Sequence, residues 1–447
     1  VRLLDDGLAG HTLFGHNIAT PDQLAALTAS LRAARSDVVI AIDEEGGDVT
    51  RLAHATGSPY PGNAALGVVD DPALTEQVYA AIGADLIRAG ITLNLAPTVD
   101  VNTADENPII GTRSFGADPA RVAAHTAAAV TGLQRAGVAA CAKHYPGHGA
   151  TVTDSHYTLP TVDASLAVLR TRDLPPFVAA IEAGAQSIMT AHIRVPELTG
   201  DAPATLSRPA LALLRDDYGF TGAIVTDALE MAGAAGTAGG IPAAAVRALA
   251  AGADLLCLGA RIDAELVERV ASAIVAAVAA GDLPAARLEQ AATRTATLLS
   301  APRSSAPPRP ADLGYDIARR AVRVEGTLDG LTDPVIVQLE AGSTIAEGRV
   351  PWGLAPHLPD VLRVDLAGFS PEQLPAQRPI VIVARHLHRS PAARSAVEKL
   401  ATDRPTVVAE MGWPSDWRPA GVQAFVTTHG ASHANGAALA HTLFRRS

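Results

Sequence analysis

The chain has 447 residues, 48% of them hydrophobic and 18% charged, so a large core is available and wholesale disorder is excluded. Its 46 acidic side chains outnumber 35 basic ones, for a formal net charge of −11. That balance argues against nucleic acid as the main partner, because neutralising phosphates needs clustered Lys and Arg.

From the N-terminus to about residue 300, short β-branched runs alternate with long Ala-rich segments of helical period. The runs predict strands over His11–Phe14, Val38–Asp43, Thr92–Pro97, Val138–His144, Ser187–Ile193, Ala223–Leu229 and Ala253–Gly259. Helices are expected over Pro21–Arg35, Asp71–Ala89, Ala120–Ala136 and Val162–Ala183. Such alternation implies parallel strands with crossover helices, and seven strands fit a TIM-like (β/α)8 barrel with one strand degenerate. A doubly wound open sheet is the competing architecture, weakened because no GxGxxG follows the first strand.

The Pro/Ser-rich stretch APRSSAPPRPAD marks a boundary. It divides the chain into a barrel over 1–301, a linker over 302–312 and a smaller α/β domain over 313–447. Strands in the last are expected at Val335–Leu339, Leu362–Leu366, Ile380–Ala384, Thr406–Met411 and Ala424–Thr427. The two cysteines, Cys141 and Cys257, lie in apolar runs and read as small buried hydrophobes. No apolar run reaches the ~18 residues of a membrane span. The chain opens at Val1 inside what reads as the end of a helix, so its N-terminus is expected to be truncated. A cytoplasmic location is expected, and that truncation leaves an exported or lipid-anchored form open.

Charge gathers where the proposed barrel strands end: Asp43-Glu44-Glu45, Asp100, Lys143-His144, His192 and Asp227. In an α/β barrel that rim is where active sites are built. Lys143 counts for more because the chain has only one other lysine, Lys399. The densest stretch, KHYPGHGATVTDSHYTLP, holds Lys143, His144, His148, Asp154 and His156. It reads as a mobile catalytic loop in which Asp154 orients His156 for acid/base work, with Gly147 and Gly149 letting it move. Two other readings stand beside it, a metal site built from His144, His148, Asp154 and His156, and a solvated loop. Asp227 by itself reads as a helix N-cap; beside a His-Asp pair it becomes a candidate nucleophile.

The motifs IDEEGGDVTRL, GTRSFG, KHYPGHGATVTDSHYTLP, TLSRPAL and VTDALEM together resemble glycoside hydrolase family 3, in its β-N-acetylhexosaminidase branch. The resemblance covers most of residues 10–300 and implies a TIM-like barrel followed by an α/β sandwich. It makes Asp227 the nucleophile of a covalent glycosyl-enzyme, with His156 as acid/base and Asp154 as its partner. Asp43, Arg51, Arg113, Lys143 and His144 would bind the sugar. Asp48 stands where many relatives carry Arg, so it is given no role.

The function implied is a retaining exo-β-N-acetylglucosaminidase acting on muropeptide or chitin-type saccharides, as in peptidoglycan recycling. It calls for no cofactor, no metal and no partner beyond a small saccharide, and leaves the oligomeric state open. A β-N-acetylglucosaminide phosphorylase on the same fold is the first alternative; a metal-dependent hydrolase is the second, from a different class.

Overall fold

The computed structural model describes residues 2–155, 157–260, 262–299, 310–340, 342–369, 374 and 378–444. The chain forms two compact units. The first comprises Val1–Glu44, Pro72–Ile110 and Gly116–Arg309; the second gathers Glu45–Asp71, Gly111–Phe115 and Pro310–Ser447.

In the first unit six parallel strands run side by side in chain order, curling as a TIM-like barrel. They are β1 (Gly10–Leu13), β2 (Val39–Ile42), β3 (Leu93–Asn94), β4 (Ala139–Tyr145), β5 (Ser187–Thr190) and β6 (Ala223–Thr226). Sequential parallel neighbours require a crossover between each pair, and helices supply them. Pro21–Ala34, Pro72–Arg88 and Pro119–Arg135 match the expected helices closely. The long helix expected over Val162–Ala183 is broken into Leu166–Arg172 and Pro175–Glu182. The break falls where Pro175-Pro176 deprive the backbone of two donors. The seventh expected strand, Ala253–Gly259, is reduced to a single parallel bridge between Val225 and Leu255.

Side chains from alternate strand positions fill the barrel. Val39, Ala41, Leu93, Leu95, Ala139, Cys141, Met189, Ala223 and Val225 form one buried cluster with Leu298. In the same unit the Asp254 side chain, fully buried, is clasped by Arg215 at 2.5 Å, by Arg287, and by Arg294 at 3.3 Å. Burial and the neighbouring arginines push Arg215 down to about 10 against the pull of Asp254.

The second unit is built on a sheet of order β7-β12-β11-β10-β8-β9. Its strands are β7 (Arg323–Gly326), β8 (Val335–Glu340), β9 (Leu362–Asp365), β10 (Ile380–Ala384), β11 (Thr406–Glu410) and β12 (Ala424–Thr427). All pairings are parallel except β7 with β12. The edge strand β7 escapes sequence reading because its four residues are exposed and carry no apolar alternation.

Glycines let the segments drawn into this unit approach closely. A Cβ on Gly67 would stand 1.7 Å from the Phe115 carbonyl oxygen, and one on Gly314 would stand 1.8 Å from that of Pro59.

Asp254→Ala is expected to cost about 3–5 kcal/mol, because it leaves two largely buried guanidinium groups without their shared counter-ion. Chemical denaturation of wild type and variant measures it, and a midpoint unchanged within error contradicts the clasp.

Candidate active site

Strand alternation carries the polar groups to the mouth of the barrel. Ala41, Cys141 and Val225 face inward, and two residues further on stand Asp43, Lys143 and Asp227. Lys143, 2% exposed, places its Nζ 2.7 Å from Asp43 Oδ1. Burial pushes both the Cys141 and the Cys257 thiols up to about 12, and the charges of Asp43 and Asp227 push the same way. Both carboxylates therefore stand within electrostatic reach of the same two sulfurs in the barrel interior, and the thiols themselves stay protonated.

Asp227 is half-buried. Its N–H donates to the Thr190 carbonyl at 3.2 Å, and its Oδ1 accepts the N–H of Ala228 at 2.7 Å. The N-cap reading fails here. The helix that follows is Ala232–Ala238, and its N-cap is Met231. The intervening turn frees Asp227 from helix capping and keeps it at the end of β6.

Asp100 organises the exit of β4. It is fully buried and accepts His144 Nδ1 at 2.8 Å and the His148 N–H at 2.6 Å. Burial alone would raise its carboxyl, yet His144 and His148 beside it hold it below the ordinary value. The pairing of β4 with β5 shifts register between Lys143 and Tyr145, so His144 lies out of the ladder, free to turn toward Asp100.

The stretch after His144 departs from expectation at its glycines. A Cβ on Gly149 would stand 2.0 Å from the Val101 carbonyl oxygen, and one on Gly147 would stand 2.7 Å from Asp173 Cβ. The Gly149 carbonyl accepts Ala104 N–H at 3.2 Å, and the His148 carbonyl accepts Asn107 Nδ2 at 2.9 Å. These glycines serve close packing of the first half of the loop. Exposure begins beyond Thr151, with Val152 at 66% and Tyr157 at 69%. Asp154 is half-buried and its carbonyl accepts the N–H groups of Tyr157 and Thr158, each at 3.2 Å. His156 lies outside the described residues. Among the described residues no three His, Cys, Asp or Glu side chains converge as a metal site would require. Both ring nitrogens of His148 are engaged by hydroxyls, Thr151 Oγ1 at 2.7 Å and Ser155 Oγ at 3.1 Å.

Of the other sugar-binding candidates, Arg51 and Arg113 belong to the second unit. Arg113 forms a two-pronged pair with Glu45 at 2.7 and 2.9 Å, both side chains buried. Arg51 donates to the carbonyls of Ala346 at 2.7 Å and Glu347 at 3.3 Å. Asp48, given no role from sequence, accepts Thr112 Oγ1 at 2.7 Å and the Ala431 N–H at 2.9 Å. It thus joins three separate stretches of this unit.

Sequence reasoning noted Asp100 and His192 only as rim charges. His192, fully buried, donates from Nε2 to the Ala228 carbonyl at 3.0 Å, next to Asp227. Glu45 gave no signal as the partner of Arg113.

Two carboxylates and a lysine at the C-terminal mouth of the strands place charged groups where barrel enzymes build their active sites. The model of the glycosyl hydrolase family 3 N-terminal domain matches residues 2–298, and the chain belongs to that family. It is a glycoside hydrolase. It is 39% identical over 249 residues to a β-hexosaminidase of Methylococcus capsulatus, covering 55% of this chain and 74% of the relative. It is 34% identical over 269 residues to the β-hexosaminidase LpqI of Mycobacterium tuberculosis, covering 58% and 68%. A glycoside hydrolase family 3 β-N-acetylglucosaminidase from Paenibacillus sp. str. FPU-7 superposes with a TM-score of 0.87 at 32% identity, covering 98% of this chain and 91% of the other. No helix among the described residues is long and apolar enough to cross a membrane.

Burial pushes His148 down to about 4 from its ordinary 6.5, so the folded ring refuses a proton that the unfolded chain accepts. Stability is therefore expected to fall as pH drops from about 6.5 to about 4, by on the order of 3 kcal/mol. Denaturation midpoints across that window, compared with His148→Gln, check this; equal slopes for the two proteins contradict it.

Proposed function

We propose that this glycoside hydrolase is a retaining exo-β-N-acetylglucosaminidase that removes terminal N-acetylglucosamine from muropeptide or chitin-type saccharides. The observation that carries the reading is the placement of Asp227 at the end of β6, on the same inward register as the paired Asp43 and Lys143. The similarity to β-hexosaminidases and to a β-N-acetylglucosaminidase supports an N-acetylhexosaminide as the substrate class.

Two-step hydrolysis needs a nucleophile on one side of the scissile bond and a proton donor on the other. In this reading the Asp227 carboxylate attacks the anomeric carbon while His156 passes a proton to the departing glycosidic oxygen. The sugar is then held as an ester of Asp227. Water attacks the anomeric carbon, His156 takes the water's proton, and the bond from that carbon to Asp227 breaks, so that Asp227 leaves as a carboxylate. Asp154 steadies the imidazolium formed along the way. Asp43, Lys143 and His144, at the mouth of the barrel, are assigned to the sugar hydroxyls and the N-acetyl group, where charged donors and acceptors make the stronger hydrogen bonds. The Ala228 N–H donating to Asp227 Oδ1 fixes the orientation of that carboxylate at the barrel mouth, which supports the role of nucleophile.

Turnover of a chromogenic N-acetylglucosaminide is the direct test, run in phosphate buffer so that free sugar and sugar 1-phosphate are both scored. Free N-acetylglucosamine supports hydrolysis; a dominant 1-phosphate product makes the chain a phosphorylase. Asp227→Ala is expected to lower kcat by on the order of 10³-fold or more. Wild-type-like activity in that variant would overturn the assignment. Asp154→Asn is expected to harm substrates with poor leaving groups, which need protonation as they depart, far more than activated aryl ones. Equal losses on both argue against an acid role for the loop.

A further inference from the structure

Ser155 stands in the chain between the two residues proposed to handle the proton, and it is 2% exposed. Two separate parts of the first unit hold it. Its Oγ meets His148 Nε2 at 3.1 Å, and its carbonyl accepts the Gly233 N–H at 3.4 Å.

Each of these holders is itself fixed. His148 is tied at its backbone to Asp100 and Asn107, as described above. Its Nδ1 meets Thr151 Oγ1, which also donates to the His148 carbonyl at 3.0 Å. With that hydroxyl proton committed to the carbonyl, Nδ1 is the protonated nitrogen and Nε2 the acceptor. The Ser155 hydroxyl is then the donor to a neutral ring. At the other holder, Gly233 admits no side chain. A Cβ there would stand 2.9 Å from His192 Cβ, 3.1 Å from the His192 carbonyl oxygen and 3.4 Å from that of Ser155. His192 is the residue that grips the Ala228 carbonyl beside Asp227.

We infer that Ser155 is a positioning residue for the acid/base loop. Docked on His148 and on Gly233, it sets where its chain neighbour Asp154 stands with respect to Asp227. The inference rests on the roles proposed above for Asp154, His156 and Asp227. A general acid must come within hydrogen-bond reach of the leaving oxygen, and a misplacement of about 1 Å costs on the order of 10²-fold in rate. A hydroxyl that merely satisfied a buried imidazole would affect stability and leave the response to leaving-group acidity unchanged.

The test is a series of aryl N-acetylglucosaminides of graded leaving-group acidity, assayed with wild type, Asp154→Asn, Ser155→Ala, His148→Phe and the Ser155→Ala/His148→Phe double variant. Ser155→Ala is expected to lower kcat about tenfold or more on the least acidic leaving group and less than about threefold on the most activated. His148→Phe should give the same slope by removing the other half of the contact. The double variant should be no worse than the more impaired single one, since one contact is lost in either case. A uniform loss across the series, additive effects, or wild-type kinetics in both single variants would overturn the inference. A flat response of Asp154→Asn across the same series instead removes the acid/base reading on which the inference stands, so the two failures are told apart.

Discussion

A strand shows alternate side chains to alternate faces, and in β2, β4 and β6 this constraint ties the apolar interior to the polar mouth. Ala41, Cys141 and Val225 must face inward to fill the barrel. Asp43, Lys143 and Asp227 are then carried to the same axis two residues later. A slip of one residue in any of these strands would expose its core residue and turn its charged residue away. The packing that stabilises the barrel and the convergence that makes chemistry possible are therefore the same geometric fact. The buried Lys143 follows from it: an ammonium 2% exposed is tolerable because Asp43 is held opposite it.

Around that frame the fixed groups are mostly carboxylates receiving several donors. Asp100 takes a backbone N–H and an imidazole, and so determines how the chain leaves β4. In the second unit Glu410 plays a similar part, accepting the N–H groups of His386, Leu387 and Gly412. Burial pushes that carboxyl up to about 7, against the three donors. Asp48 links Thr112 and Ala431 in the same manner. The backbone N–H of Ala431, at the turn before the helix His433–Phe444, is thereby satisfied by the chain's own carboxylate. Each case joins stretches distant in sequence through hydrogen bonds to a single side chain.

The elements that repeat a local pattern were legible without coordinates. β1 to β6 and five of the second unit's strands lie within a few residues of the expected runs; for all of them but the exposed β9, burial on a sheet leaves its mark in the composition. Asp227 and the stretch from Lys143 to Pro160 were singled out through motif and resemblance. Elements whose character depends on neighbours elsewhere were misread. Ala253–Gly259 has the composition of a strand, yet only Leu255 finds a ladder partner. Gly147 and Gly149 look like hinges until the Val101 backbone and Asp173 are seen against them. The helix-cap alternative for Asp227 assumed a helix starting at once, and a turn intervenes.

By itself the sequence determined the alternating α/β order, the polar ends of the barrel strands and the residue types available for glycoside chemistry. All of these are written in periods and neighbours of a few residues. Only the tertiary structure decided that Arg113 pairs with Glu45, that Asp48 binds Thr112 and Ala431, and that Ser155 rests on His148 and Gly233. It also decided that Glu45–Asp71 and Gly111–Phe115 group with the C-terminal stretch. Such pairings join residues with no shared local pattern. A hydrogen bond needs its two atoms within about 3 Å, and the path of the intervening backbone, set by packing, is what brings them there.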